Sequence, residues 1–341
     1  MLRPTVRIAL CSAWIGFAGP VLWSDARAQR DTTAAPPPLG RLVDIGGRRL
    51  HLQESGVGTP AVIVENGASS FSIDWALVQE QVKAFTRICT YDRAGFAWSD
   101  RGPEDNTVEE AVDDLHLLLR KAAVPPPYVL VGHSIGGMYV RAFQRRYPEE
   151  VVGMVLVDAS PEEDLEYLWH GQSTVGVDLP DDALDSLFAP LILKPPAPRE
   201  LPDEVGEPYD RLAPELQRAR LWAQRRWLSQ IDMSHSWITA ASWRQENMAL
   251  RKFRLGSPHV LGDLPLVVLR RGLRSNPVLD QREADLASMS TSGRLVIATK
   301  SDHDIHLYEP SLVVQAIRDV VQAARKRAHG GRAAQRAAHL R

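Results

Sequence analysis

The chain has 341 residues, 44% hydrophobic and 24% charged, with a formal net charge of −2. That length and balance suit one large or two ordinary soluble globular domains, with enough apolar material for a sizeable core. They exclude the strongly basic footprint of a nucleic-acid-binding protein.

In chain order, the first thirty residues stand apart. Arg3 and Arg7 precede a 16-residue apolar stretch from Ile8 to Trp23, and Ala26-Arg27-Ala28 follows. This is the layout of a secretory signal peptide, predicted to cover residues 1–28 with cleavage after Ala28 and export to a secreted or periplasmic location. The stretch is shorter than the roughly 20 residues of a spanning helix, so no stable membrane insertion is expected once it is removed. Cys11 leaves with the signal and Cys89 is then the single cysteine. Stability must come from the core rather than from an internal disulfide. A Pro-rich linker occupies 29–40, with "DTTAAPPPLG" from Asp31 to Gly40.

Short β-type runs come next: "RLVDI", "RLHLQES" and "AVIVENG". "FSIDWALVQEQVKAF" looks helical, and "RICTYDRAG" is a strand that ends in a turn. Thr107-Val108-Glu109-Glu110 is a capping box. It opens a predicted helix through Arg120 with Val108, Ala111, Val112, Leu115, Leu118 and Leu119 on one face. Pro125-Pro126-Pro127 ends helical structure. "YVLVG" reads as a strand, "IGGMYVRAFQRRY" as a helix stopped by Pro148, and "VGMVLVD" as a strand again. Apolar strands alternating with helices predict an α/β fold, with a mostly parallel sheet covered on both faces. The core's first part is placed at 41–159. Residues 160–255 carry no clear strand; they are expected to form a helical cap inserted after the sixth strand, containing Trp169, Trp222, Trp227, Trp237 and Trp243. The second part of the core, 256–328, resumes with "LPLVVLRRG", a helix-like stretch at 280–289, "RLVIA" and a last helix from Pro310 to about Arg325. A basic disordered tail is expected at 329–341.

The chemistry concentrates in "YVLVGHSIGG". Strand, G-x-S-x-G and helix together form a nucleophile elbow: Gly132 and Gly136 make room for a sharp turn that lifts the Ser134 hydroxyl to the sheet edge. A serine hydroxyl needs a base, and the base needs an acid. In the loop "TKSDHDIHLYEP" after the last strand, His303 is the candidate base, with His306 as rival; His133 is read as a packing residue. Asp302, His303, Asp304 and His306 also resemble metal ligands in type, but no partner cluster accompanies them, so no metal is assigned. The acid is Asp158, which ends "VLVD", or alternatively Asp280 in "LRSNPVLDQREAD", where Glu283 and Asp285 also lie. Backbone N–H groups of Ile135, after the nucleophile, and Ala68, in the loop opened by Gly67, are the candidate oxyanion donors.

"ENGASS", "YDRAGFAWSD", "VGHSIGG", "LVDAS" and "SDHDIHLYEP", in this order and spacing over about residues 41–325, resemble the cap-bearing branch of the α/β-hydrolase superfamily. The resemblance implies a serine hydrolase, esterase-like, with no cofactor or metal. It implies that Asp92 and Arg93 are structural. In similar proteins the base precedes a helix-starting proline, as His303 precedes Pro310. Two departures stand out. Glu65-Asn66-Gly67 replaces the His-Gly of many relatives, and no acid follows closely after the seventh strand; some relatives carry it one strand earlier, which favours Asp158. A serine nucleophile points away from the dehalogenases and epoxide hydrolases that use aspartate there.

The expected substrate is a small acyl compound cleaved at an ester-type bond, with no nucleic-acid partner. An acyltransferase or a carbon–carbon bond hydrolase would use the same triad, and a binding module on a dead hydrolase fold would lack one of its members. The cap tryptophans either line an apolar pocket or form the cap's own core. Arg225, Arg226 and Arg244 either meet an anionic substrate or form a solvated face. N-terminal sequencing of the exported protein should begin at Gln29; a mature chain that still carries Met1 contradicts the signal reading.

Overall fold

A computed structural model describes residues 35–102, 107–163, 166–169, 172–175, 178, 203–230, 240–257, 259–274 and 277–339. The signal peptide falls outside these residues, as do the side chains of Trp169 and Trp237. Ten strands are present among the described residues: β1 (Arg41–Asp44), β2 (Arg49–Ser55), β3 (Ala61–Glu65), β4 (Ile88–Tyr91), β5 (Tyr128–His133), β6 (Val151–Val157), β7 (Glu166–Trp169), β8 (Gln172–Val175), β9 (Leu266–Arg271) and β10 (Gly293–Ala298). Eight of them form one sheet in the order β1-β2-β4-β3-β5-β6-β9-β10. Pairing is antiparallel from β1 through β2 to β4 and parallel from there to β10.

Helices cover both faces. They are α1 (Ala76–Val82), α2 (Val108–Lys121), α3 (Gly136–Arg146), α4 (Pro214–Gln230), α5 (Ala240–Leu255), α6 (Pro277–Ala287), the single turn α7 (Ile305–Tyr308) and α8 (Pro310–His339). The two-residue period of the strands sorts the core. Ile63, Leu130, Leu156 and Val268 pack with α2, α3 and Leu286 of α6 on one face. Val62, Val64, Val129, Val131, Val155, Val157 and Leu269 pack with α1 and α8 on the other. Every residue of β3 and β5 is buried, as expected of parallel strands covered on both sides. The capping box forms as predicted: Thr107 Oγ1 accepts from the Glu110 N–H at 3.1 Å, and Glu110 Oε2 accepts from the Thr107 N–H at 3.0 Å.

Register then sets the site. Glu65 pairs with Gly132, His133 with Val157, Val157 with Leu269, and Arg271 with Ala298. The carboxyl ends of β3, β5, β6, β9 and β10 therefore lie along one rim, the place where open α/β sheets bind ligands.

Two expectations are corrected. The 160–255 insert is not purely helical, because it contains, besides α4 and α5, the strands β7 and β8, which pair antiparallel. Their short runs, "EYLW" and "QSTV", carry the β-branched and aromatic types that favour strands. The final helix does not stop near Arg325 but runs to His339, through most of the expected tail. Ala, Arg and Gln in that stretch are strong helix formers. Among the described residues no helix is long and apolar enough to cross a membrane.

A Cβ at Gly136 would sit 2.5 Å from the Glu65 carbonyl oxygen and 2.7 Å from that of Asn66. Backbone cannot yield cheaply, so Gly136→Ala should destabilise by about 1–3 kcal/mol. Urea unfolding should show a lower midpoint with an unchanged slope; an unchanged midpoint would mean that α3 and β3 are not in this close contact.

Candidate active site

Ser134 lies between β5 and α3 with φ of +55°, a left-handed conformation that is unusual for a non-glycine residue. Neighbouring backbone holds it there. The Ser134 N–H donates to the Val157 carbonyl at 3.1 Å, and the Ser134 carbonyl accepts from Gly137 at 2.9 Å and from Ser160 at 3.0 Å. Gly132 allows the close approach: a Cβ there would be 2.6 Å from the Gly136 carbonyl oxygen. Ile135 is the N-cap of α3, so its amide lies at the positive end of that helix.

The loop after β3 is fixed by Arg93. One guanidinium nitrogen donates to Glu65 Oε1 and to the Asn66 carbonyl, each at 2.6 Å; the other donates to the Gly67 carbonyl at 2.5 Å and reaches that of Ala68 at 3.4 Å. Tyr91 donates to the other oxygen of Glu65. Burial pushes the Glu65 carboxyl up, against the pull of Arg93. Asp92 is also buried and accepts from the Ser72 N–H and from His51 Nδ1, each at 2.8 Å. Arg93 thus holds the loop that carries Ala68 and Asp92 the segment just after it, the structural part that the family resemblance implied for them.

Asp158 and His303 meet. Asp158 follows β6 with φ of +44°, and its N–H donates to the Leu269 carbonyl at 2.7 Å. His303 Nδ1 is 2.5 Å from Asp158 Oδ2. Asp158 Oδ1 accepts from the Arg271 N–H at 2.9 Å, and Arg271 Nε lies 3.1 Å from Oδ2. Burial alone would raise the Asp158 carboxyl; the His303 hydrogen bond and charge, with Arg271, bring it below the usual value. For His303 burial acts to lower the pKa, and the Asp158 hydrogen bond and charge overcome it, so the imidazole is raised above its ordinary 6.5.

Asp280 stands elsewhere. It lies in the first turn of α6 and pairs with Arg270. His306, the rival base, is buried in α7 with its ring stacked on Trp75 at a 4.5 Å centroid distance. Burial drives its pKa well below 6.5. The thiol of Cys89, buried in β4, is pushed up to about 12 by desolvation, which leaves it inert as a nucleophile.

His133 does more than pack. Its Nε2 donates to the His303 carbonyl at 3.0 Å, which ties the base loop to the residue before Ser134. Burial lowers its pKa to about 4, so the ring is neutral at pH 7. Its place in G-x-S-x-G shows only that it precedes the serine; the partner, 170 positions away, comes from the fold. His133, Asp304 and His306 place ligand-type atoms within 4.8 Å of one another, and His133 Nε2 is committed to the His303 carbonyl. In the cap, Trp222 and Trp227 pack on Phe71, Phe96 and Trp98, joining cap to core. Trp243 is buried with the α2–α3 side of the core. Arg225 lies 3.3 Å from Asp203, and Arg226 donates to the Ser99 carbonyl at 3.2 Å.

A mostly parallel sheet with Ser134, Asp158 and His303 on its carboxyl rim and a segment inserted after β6 defines a class of α/β folds. The chain belongs to the Alpha/beta hydrolase family, whose model matches residues 61–316. It is similar to YqjL of Bacillus subtilis, an uncharacterized protein, at 23% identity over 82% of this chain and 91% of that one. It spans only 18% of the probable transporter efuK of Hormonema carpetanum, at 38% identity over 131 residues. Among solved structures, a thermophilic esterase from Thermogutta terrifontis superposes with TM-score 0.57 at 20% identity, over 81% of this chain and 94% of that one. The epoxide hydrolase VrEH1 from Vigna radiata superposes with TM-score 0.58 at 16% identity, over 83% and 97%. At these identities the likeness is one of fold.

The contrast between the two acids is a direct test. Asp158→Asn should lower kcat by about 10⁴ if Asp158 orients the base, whereas Asp280→Asn should leave kcat near the starting value. The reverse ranking would move the acid to α6.

Proposed function

We propose that this chain is an exported serine hydrolase that cleaves an ester-type bond, in a carboxylic ester, a lactone or a related acyl compound, through an acyl-enzyme. The observation that carries the reading is the 2.5 Å contact of His303 Nδ1 with Asp158, on a loop that His133 ties to the serine turn.

The chemistry follows from those groups. A buried, ionised Asp158 keeps the His303 proton on Nδ1, which leaves Nε2 free of a proton and able to accept one. Nε2 takes the proton of Ser134 as Oγ attacks the acyl carbon. Negative charge gathers on the former carbonyl oxygen, and the Ile135 and Ala68 amides receive it. His303 returns the proton to the leaving oxygen, which departs. Water then enters, His303 acts as base again, and the acid product leaves Ser134. Asp158 stabilises the imidazolium in both halves without itself becoming protonated. The serine, in place of an aspartate, favours acyl transfer to water over attack on an alkyl carbon or an epoxide. No metal or cofactor takes part in these steps.

A fluorophosphonate should add one phosphonyl group to Ser134, located by peptide mass spectrometry, and Ser134→Ala should abolish both labelling and hydrolysis of p-nitrophenyl esters. Retained turnover in that variant would end the reading. The pH profile carries a second expectation. The working base is neutral His303, and its pKa lies above 6.5. Activity should therefore be full at alkaline pH and fall as pH drops through a midpoint above 6.5. A midpoint well below 6 would mean that the Asp158 contact does not raise the imidazole.

A further inference from the structure

The strand order creates a problem that one side chain solves. Asp158 ends β6 and His303 follows β10, but β9 lies between those strands. The acid can meet the base only by reaching across the carboxyl end of β9. The residue at that end is Arg271. Its backbone N–H donates to Asp158 Oδ1 at 2.9 Å, its Nε lies 3.1 Å from Asp158 Oδ2, and its Nη1 lies 3.6 Å from Asp302 Oδ1. The same Asp302 oxygen accepts from the His303 N–H at 2.9 Å. The guanidinium therefore spans two carboxylates: Asp158 fixes the ring of His303, and Asp302 fixes its backbone. Its side chain is 11% exposed and that of Asp158 is 0%, so water contributes little to either.

We propose that Arg271 is a positioning residue of the site: it holds the Asp158 carboxylate in one orientation and, through Asp302, sets the backbone of His303. This rests on the reading of Ser134, His303 and Asp158 as a triad. A buried carboxylate that faced only a neutral imidazole would lack a cation for most of the cycle. Arg271 supplies one throughout, and its planar fork can serve both carboxylates where a lysine ammonium, a point charge, cannot.

The charge has a consequence for pH. Groups that face His303 are Asp158 from β6, Arg271 from β9, His133 from β5, His306 from α7, and Asp302 and Asp304 from its own loop. Asp158 and Asp304 raise its proton affinity and Arg271 lowers it. From α6, Glu283 faces Asp158, Arg271 and Arg270, and Asp280 pairs with Arg270. Glu283 is buried, and desolvation with the Asp158 charge pushes it up to about 9, so at neutral pH it is uncharged and leaves Arg271 as the nearby cation. Arg274, the other arginine on Asp302, lies 3.1 Å from it with a largely exposed side chain. Removing the Arg271 charge should let His303 hold its proton to higher pH.

The test compares wild type, Arg271→Gln and Arg271→Lys, using the second-order rate of inactivation by a fluorophosphonate as a function of pH, with Ser134→Ala as control. For Arg271→Gln the plateau rate should fall about tenfold to 10²-fold through misplacement of the base. Its acid limb should move up by about half a pH unit through loss of the positive charge. Arg271→Lys should keep the acid limb close to wild type while the plateau rate still falls, because charge is retained and the bridge is not. With an ester substrate, kcat should change and KM should not. Wild-type plateau and acid limb in Arg271→Gln overturn the proposal; if that variant does not fold by circular dichroism, a wild-type plateau in Arg271→Lys overturns it equally. An independent readout is the ¹⁵N titration of the His303 ring by NMR in wild type and the folded variants. If wild-type Ser134 takes no label, the triad reading has failed, whereas a His303 midpoint unmoved in Arg271→Gln, or a plainly shifted one in Arg271→Lys, defeats the Arg271 proposal alone.

Discussion

The candidate site depends on one hydrogen bond, between His303 Nδ1 and Asp158 Oδ2. It joins groups 145 positions apart in the chain, and neither is in place without the sheet. The register of β6 on β5 and of β9 on β6 brings the Asp158 backbone to the rim, where its N–H is held by the Leu269 carbonyl. The bond also fixes the electrical state of the site. Buried alone, Asp158 would tend toward the neutral acid and His303 toward the neutral base; together, each favours the charged form of the other. An imidazole so placed is poised to accept a proton and to be stabilised once it has done so.

Around that bond the molecule is built for rigidity. Three anchors hold the loops of the candidate site: Arg93 laces the loop after β3, His133 grips the His303 carbonyl, and Arg271 braces Asp158. The cap is tied down by ion pairs at both of its ends. Glu162, just after β6, binds Arg141 of α3 and lies 3.1 Å from Arg254, near the end of α5; Glu163 is 2.9 Å from Arg254 and 3.2 Å from Arg251. Where the insert leaves the core and where it returns are thus held to each other. Trp222 and Trp227 complete the attachment on Phe71, Phe96 and Trp98, which accounts for these two aromatics as a cap–core seam.

Much of this was legible in the residues. Continuous apolar runs marked the parallel strands, and a capping box marked the start of α2, because both patterns follow from local physics. G-x-S-x-G between a strand and a helix placed the turn, since the close approaches at Gly132 and Gly136 admit no side chain. The choice between Asp158 and Asp280 was only partly legible: each ends or follows a plausible strand, the sequence leaned to Asp158, and it is the His303 contact of Asp158 and the Arg270 pairing of Asp280 that separate them. Arg271 escaped notice for the same reason, as nothing in "LPLVVLRRG" says which of its two arginines turns toward β6. The β7–β8 hairpin was missed because four-residue strands carry little periodicity, and the length of α8 because a basic, alanine-rich segment suits a helix and a tail equally well.

The central claim, that a hydroxyl, an imidazole and two backbone amides converge on one reacting centre, is tested most directly by a crystal structure of the phosphonate adduct. The account predicts phosphorus bonded to Ser134 Oγ, with one phosphonyl oxygen about 2.7–3.1 Å from the amide nitrogens of both Ile135 and Ala68 and His303 Nε2 beside the serine oxygen. An adduct whose phosphonyl oxygen faces solvent, or whose His303 ring lies beyond hydrogen-bond reach of Ser134, would contradict it.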